Sequence, residues 1–509
     1  MTDIVLSTLN ARYAHAALGL RYLRANLGSL RERSVIREFV IGQKLEDVAE
    51  ELLALDPRVL GLGVYIWNVE ETTRLVALLK TLAPELPIVL GGPEVSHESS
   101  QQRICELADY TICGWGDVSF PKLAAQLIAG ERPITKIIPG EQPPLDTLAL
   151  PYAEYTDEDI ARRHLYVEAS RGCPFKCEFC LSALDKTAWP FPLDAFLAAM
   201  ENLWQRGARR FKFVDRTFNL KVDTSLAILD FFRTKLEANP EDPPFLHFEL
   251  VPDHLPERLK EGITRFPAGT LQFEIGIQTF DPEVQARISR RQKNDVAETN
   301  LRWLREHSAA HLHVDLIAGL PGEDVATFGA GFDRLVALNP HEIQFGILKR
   351  LRGAPIARHT QAHALRFSPD PPYSILATDA ISFPQMQRLT RFARYWDMLA
   401  NSGRYPRSLP LLLGESPFAN FLAFSDWLYA TTHQTHAIAQ ERLVHLVYDF
   451  LRERGEDARW IGESLAADYH GGGGRSRLKW EAADAPLPLP RPAKHAKATP
   501  ERQRRHLQA

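Results

Sequence analysis

Cys173, Cys177 and Cys180 lie in the stretch RGCPFKCEFC, so three of the five cysteines in a 509-residue chain fall within eight positions. Two metal chemistries suit such a group. Structural zinc takes four protein ligands in a tetrahedron, and three thiolates leave one position to be filled from elsewhere. His164 is near in sequence, yet it precedes the strand that leads into the loop. A [4Fe–4S] cluster has four iron corners, so three protein thiolates leave one iron open for chemistry. The other two thiols, Cys105 on a helical stretch and Cys113 inside an apolar strand run, read as small core residues.

The elements that must position these thiols follow from periodicity. Residues 3–9, 34–42, 59–66, 87–93 and 108–114 are short β-branched runs, separated by helical stretches such as the one carrying Leu75, Leu78, Leu79 and Leu82. Strand then helix, repeated, predicts a parallel sheet covered on both faces. Three of its strands end in short turns: Trp67-Asn68, Gly91-Gly92-Pro93-Glu94 and Gly114-Trp115-Gly116-Asp117. In an open parallel sheet the ligand crevice lies beyond the carboxyl ends of the strands, where such turns sit. Six longer strand–helix units follow, with strands at 165–170, 211–214, 246–250, 271–277, 313–319 and 342–348. They predict an incomplete βα barrel with the cysteines at the end of its first strand, on the face where chemistry occurs. The fold class expected is α/β: an N-terminal doubly wound parallel sheet (1–136), a proline-rich linker without packed elements (137–158), a central partial (β/α)6 barrel (159–355) and a C-terminal mainly helical domain (356–483). A basic, proline-rich tail (484–509) reads as extended or disordered when free, a solvated tail rather than a nucleic-acid arm, because no aromatic residue is interleaved for base stacking.

Whole-chain properties narrow the class. The composition is 45% hydrophobic and 24% charged with a formal net charge of −4, which gives no whole-protein attraction to nucleic acid or an anionic membrane. No apolar run reaches the roughly 18 residues of a spanning helix, and the N-terminus lacks a signal pattern. A cytoplasmic protein with reduced thiols is expected.

The motif Cys173-Pro-Phe-Lys-Cys177-Glu-Phe-Cys180, preceded by Arg171-Gly172, resembles that of the radical S-adenosylmethionine enzymes. The resemblance implies a [4Fe–4S] cluster on Cys173, Cys177 and Cys180 whose open iron holds the amino and carboxylate groups of S-adenosylmethionine. Electron transfer then gives methionine and a 5′-deoxyadenosyl radical. It further implies that Phe179 packs by the adenine, that Asp215 in FKFVDRTFN faces the ammonium group, and that Glu274 and Gln278 in EIGIQTF approach ribose and carboxylate. Gly319 in DLIAGLPGE corresponds to the glycine motif beside adenine, and Glu249, like Asp215 at a strand end, joins the same set over the alternative of a barrel salt bridge. The first domain is similar to the cobalamin-binding domain that precedes the barrel in a large subfamily. That makes Tyr65, Trp67, Asn68, Gly91, Gly92, Glu94, Gly114, Trp115 and Gly116 corrin-contact candidates. One departure concerns the cobalt ligand. Many such domains carry Asp-x-His-x-x-Gly after the first strand, whereas Tyr13-Ala-His15-Ala-Ala-Leu-Gly19 lacks the aspartate and has its glycine one residue late. His15 is therefore read as a helix-start histidine, with the base of cobalamin off the cobalt and no imidazole in its place. The C-terminal part is similar to a helical domain of unknown function found in some cobalamin-type radical proteins.

The function expected is C-methylation of a small-molecule or otherwise unknown substrate by a cobalamin-dependent radical enzyme fed by an electron donor such as flavodoxin or ferredoxin. Cyclisation or rearrangement, a cobalamin-free enzyme modifying RNA, and a non-enzymatic zinc clasp are the alternatives.

Overall fold

A computed structural model describes residues 2–185, 187–481 and 499–507. The chain forms two compact units: residues up to Arg216 with Lys349–Arg358 and Ser368–Ser374, and Thr217–Leu348 with His359–Phe367 and the chain from Ile375 onward.

The first unit opens with six parallel strands, β1 (Ile4–Asn10), β2 (Ser34–Val40), β3 (Val59–Gly63), β4 (Ile88–Gly91), β5 (Tyr110–Cys113) and β6 (Ile137–Pro139), in the order β2-β1-β3-β4-β5-β6. Every residue of β1 is buried, as expected of a central strand covered on both sides. Helices α1 (Leu18–Ala25), α2 (Leu45–Leu53), α3 (Val69–Leu82), α4 (Arg103–Leu107) and α5 (Ser119–Ile128) provide the cover. Val48, Leu52, Leu75, Leu79 and Ile104 of α2, α3 and α4 share one core cluster, and Leu20, Phe120, Leu123 and Leu127 of α1 and α5 share another. The doubly wound sheet is as the sequence predicts.

The linker is not. Ile137–Pro139 adds a sixth strand at the sheet edge, where proline's missing N–H removes no ladder bond needed on the outer side. Beyond it Tyr152 and Tyr155 are buried, their hydroxyls donating to the carbonyls of Glu168 and Tyr166. A capping box at Thr156 then starts α6 (Asp157–Arg162). Arg21, 2% exposed, holds Glu38 and Asp159 at 2.8 Å each and fixes α6 against α1. The segment lacks helical or strand periodicity because short turns and anchoring aromatic side chains, rather than a regular element, make its contacts.

Four further strands belong to this unit: β7 (Leu165–Val167), β8 (Ser170–Arg171), β9 (Trp189–Pro190) and β10 (Arg210–Phe213). β7 pairs with β10 in parallel, and β8 pairs with β9 antiparallel.

In the second unit β11 (Phe245–Leu250), β12 (Leu271–Gln278), β13 (His311–Ala318) and β14 (Glu342–Ile347) form consecutive parallel pairs. These four strands, and β7 and β10 of the first unit, fall at the six positions where the sequence predicts strands. β12 alternates strictly, burying Leu271, Phe273, Ile275 and Ile277 and leaving Gln272, Glu274, Gly276 and Gln278 on its less buried face. Helices at Phe383–Leu399, Pro417–Thr432, Gln440–Glu453 and Ala458–Gly471 confirm the helical C-terminal region. They are not a separate body. Phe392 lies 5.1 Å from Phe332 of the helix Val325–Ala337 and 4.9 Å from Phe345 of β14, so helices and barrel strands share one aromatic core.

Most of the basic tail lies outside the described residues. Where it is described, the extended reading is corrected: Glu501–His506 is helical, with Thr499 and Gln503 buried. Arg502 meets Asp397 at 2.7 Å and Glu342 at 2.9 Å, so charges that suggest solvation are neutralised by acids distant in sequence. Among the described residues no helix is long and apolar enough to cross a membrane.

Candidate functional site

The cysteine loop hangs from the β8–β9 ladder, in which Ser170 pairs with Pro190 and Arg171 with Trp189. Gly172 has φ +95°, and a Cβ there would meet Thr187 Oγ1 at 2.8 Å and the Ala188 nitrogen at 2.9 Å, so the first turn admits only glycine. The Cys173 amide donates to the Asp185 carbonyl at 2.9 Å, and the Cys180 amide to the Cys177 carbonyl at 3.1 Å. Cys173 and Cys177 are buried; Cys180 and Phe179 are half-buried. Burial pushes the Cys173 thiol up, a penalty on the thiolate that bound metal would reverse. Between the last two cysteines, Glu178 accepts from Arg358 Nε at 2.8 Å, and its carbonyl accepts from the Ile356 amide at 2.9 Å. Cys105 is buried in the first core, and Cys113 Sγ lies 3.3 Å from Ser99 Oγ. Among the described residues no three His, Cys, Asp or Glu side chains have the spacing of a single-ion site. Thiolates are the ligand type that iron–sulfur clusters take.

Asp215 stands at the base of this loop. It is 3% exposed, and its carboxylate accepts from the Ala169 amide at 3.0 Å and from Ser170 Oγ at 2.6 Å. Each oxygen thus accepts one hydrogen bond from the strand end that carries the cysteines. Burial pushes its carboxyl up to about 7.

Beyond the carboxyl edge of the first sheet lies a cavity of about 250 Å³. Tyr65, Gly91, Gly92, Gly114, Trp115 and Gly116, all selected from sequence, line it. Gly92, at φ +110°, would place a Cβ 2.4 Å from the Val64 carbonyl oxygen, so no other residue fits that turn. Sequence reasoning missed Gly61 and Gly63 of β3, which also line the cavity. A Cβ on Gly61 would meet Leu6 and the Phe120 ring at 2.9 Å. The available signal was the pattern VLGLG, two glycines on one face of a buried strand. Glycine at 61 therefore lets Leu6 and Phe120 pack directly on β3 at the floor of the cavity.

Three candidates of the first domain lie elsewhere. Asn68, wholly buried, donates to Thr8 Oγ1 and to the Leu9 and Gly63 carbonyls and accepts from the Tyr65 amide, so it holds the turn after β3. Glu94 accepts from Arg352 Nε at 2.9 Å and from the Tyr373 hydroxyl at 2.8 Å, which joins the turn after β4 to a later chain segment. Trp67 stacks on Tyr65 at 4.5 Å with about half of its surface exposed. His15 is also outside the cavity lining; its Nδ1 lies 2.6 Å from the Tyr166 hydroxyl just before α1.

In the second unit Glu249 and Glu274 are register partners on β11 and β12, and His247 Nε2 lies 3.0 Å from Glu274 Oε2. Gln278 ends β12 at φ +69°, where the register with β13 shifts. Its amide folds back so closely that a Cβ on Gly276 would lie 2.2 Å from it. A non-glycine residue in this conformation at a bulge is a mark of a constrained strand end. Gly319, at φ +89°, packs against Ile375 of a short strand and Met386 of a helix, 2.6 and 3.0 Å from where a Cβ would stand, so the local packing requires glycine there. Sequence reasoning passed over Glu323, four residues further along DLIAGLPGE; it is 1% exposed, takes the Thr279 hydroxyl, and burial pushes its carboxyl up to about 8.

The thiol loop on the β8–β9 ladder and the glycine-lined crevice beyond the first sheet are the two candidate cofactor sites of the first unit. Residues 4–124 match the B12 binding domain, residues 167–334 the radical SAM superfamily, and residues 361–482 a protein family of unknown function, DUF4080. The chain thus carries a B12 binding domain followed by a radical SAM domain, the modules that take cobalamin and, with a [4Fe–4S] cluster, S-adenosylmethionine. The 2-(S-pantetheinyl)-carbapenam-3-carboxylate methyltransferase of Streptantibioticus cattleyicolor is 24% identical over 60% of this chain and 49% of its own length. The cobalamin-dependent radical SAM methyltransferase TokK of Streptomyces tokunonensis is 24% identical over 57% of this chain and 46% of its own. The chain spans about half the length of these curated relatives. Among solved structures, TsrM from Kitasatospora setae with cobalamin and a [4Fe–4S] cluster superposes with a TM-score of 0.58, at 18% identity, over 74% of this chain and 82% of that one. The cobalamin-dependent radical enzyme OxsB with aqua-cobalamin gives 0.62, at 14% identity, over 92% and 79%.

Proposed function

We propose that this enzyme methylates an unactivated carbon of a small-molecule substrate, with cobalamin as methyl carrier and Cys173, Cys177 and Cys180 holding the cluster. One observation carries the reading: the glycine-lined cavity and the thiol loop share a wall, because Arg171 lines the first and begins the second. When bound, the cluster and S-adenosylmethionine supply a carbon-centred radical, and cobalamin supplies a transferable methyl group.

The chain's own residues bind, orient and exclude water. Tyr65, Gly91, Gly92, Gly114, Trp115 and Gly116 would hold the corrinoid, with Gly63 among the lining of its cavity. Phe179, Glu249, Glu274 and Gln278 keep the roles toward S-adenosylmethionine that the resemblance gives them. Asp215 positions the strand end beneath the thiols, and Asn68 and Glu94 hold turns. The reaction consumes an electron, so a low-potential donor such as flavodoxin or ferredoxin is proposed as partner, in the cytoplasm.

The test is anaerobic reconstitution of the full chain with iron, sulfide and hydroxocobalamin, then S-adenosylmethionine with a labelled methyl group and dithionite. The wild type should retain corrinoid, release 5′-deoxyadenosine and place label on the corrinoid. Cys173→Ala, Cys177→Ala and Cys180→Ala should lose the iron–sulfur absorption and the nucleoside, whereas Cys105→Ala and Cys113→Ala should keep both. Zinc without iron or sulfide would sink the enzyme reading. Corrinoid retained without label would sink methyl transfer.

A further inference from the structure

Arg171 holds two carboxylates and two aromatic rings at once. Its guanidinium meets Asp117 at 2.9 Å and Glu168 at 3.1 Å, and lies 4.6 Å from the ring centre of Trp115 and 4.7 Å from that of Tyr22. The side chain is only 16% exposed, and burial of a guanidinium is tolerated because two carboxylates and aromatic faces replace its water. These partners come from separate places in the chain. Asp117 and Trp115 belong to the turn after β5, Tyr22 to α1 and Glu168 to the end of β7. Arg171, Asp117, Trp115 and Tyr22 all line the cavity beyond the sheet. The backbone of Arg171 meanwhile pairs with Trp189 at the base of the thiol loop, two residues before Cys173.

A molecule filling the cavity removes the remaining water from the Arg171–Asp117 pair and restricts Trp115. A cluster held by the thiols restricts the loop whose base is Arg171. Each therefore orders groups that the other must also order, and such shared ordering makes two binding events favour one another. We infer that Arg171 is a positioning residue that couples the two sites, so that corrinoid occupancy of the cavity and cluster occupancy of the loop strengthen each other through it. The inference rests on the proposed placement of both cofactors. Coupling of this kind is reciprocal, and a typical strength is about 5-fold or more in affinity.

The experiment measures hydroxocobalamin affinity by anaerobic equilibrium dialysis on the full chain, with and without a reconstituted cluster, in wild type, Arg171→Lys and Asp117→Asn. Lysine keeps the charge and loses the fork; asparagine keeps the shape and loses the ion pair, and it serves if the lysine variant does not fold. Wild type should bind at least about 5-fold more weakly without the cluster. In both variants the ratio should fall to about one, with iron and sulfide content and circular dichroism unchanged. The paramagnetic resonance of the reduced cluster should shift on corrinoid addition in wild type and not in the variants, a signature that a merely structural role would not lose. Equal affinity with and without cluster in wild type overturns the coupling alone, and so does an undiminished ratio in both variants. Wild type that takes up cluster and binds no hydroxocobalamin overturns the coupling together with the reading of the first domain.

Discussion

Asp215 shows how one buried carboxylate constrains the cysteine strand. Burial disfavours its charge more than the Ser170 hydroxyl and the Ala169 amide favour it, which pushes the carboxyl up to about 7. An unfolded aspartate titrates near about 3.9. Between those values the folded chain holds a proton that the unfolded chain has lost, so this residue's contribution to stability falls as pH rises. Below about 4 both states are protonated, and above about 7 the penalty is complete. Asp215→Asn removes that titration. In urea unfolding of the apoprotein, wild type should lose stability relative to Asp215→Asn between about pH 4.5 and 7.5, with the difference level at higher pH. Parallel pH profiles would remove the burial argument.

At the scale of elements, β3 forms part of the cavity floor. Its two glycines are not equivalent. A Cβ on Gly61 meets Leu6 and Phe120 at 2.9 Å, whereas one on Gly63 meets Thr8 at 3.4 Å and Tyr65 at 3.5 Å, which is ordinary contact. Gly61→Ala should therefore strain the sheet and lower the melting temperature. Gly63→Val should leave the apoprotein's melting temperature nearly unchanged while filling the cavity mouth, and corrinoid retention should fall about 10-fold or more, a loss of about 1.4 kcal/mol. Undiminished retention by a folded Gly63→Val protein would remove β3 from the cofactor site.

For the molecule as a whole, the C-terminal helices are part of the core of the second unit rather than an attachment. Phe392 is fully buried, and its neighbours Phe332, Phe345 and Trp396 come from the helix after β13, from β14 and from its own helix. Phe392→Ala should cost about 3–5 kcal/mol, the usual range for emptying an aromatic site in a core. A chain ending at residue 376 would expose Phe332 and Phe345 and should not fold. A soluble, cooperatively unfolding product of that length, or a loss below about 1 kcal/mol for Phe392→Ala, would restore the independent helical domain.

The amino-acid sequence by itself determined what depends on residue type and short spacing. The three thiols, the strand–helix rhythm of both parallel sheets and the glycine turns beyond the first sheet were legible because periodicity and glycine requirements are local. Partner choice was not. Asp215 and Asn68 have the chemistry of ligand contacts, and the fold also brings backbone amides, carbonyls and hydroxyls against them. Glu94 is engaged by Arg352 and Tyr373, more than 250 residues away in sequence. The linker read as loose because Tyr152, Tyr155 and the Arg21–Asp159 ion pair anchor it through contacts with no period. A buried polar group must find a partner, and which partner it finds is decided only when distant segments meet.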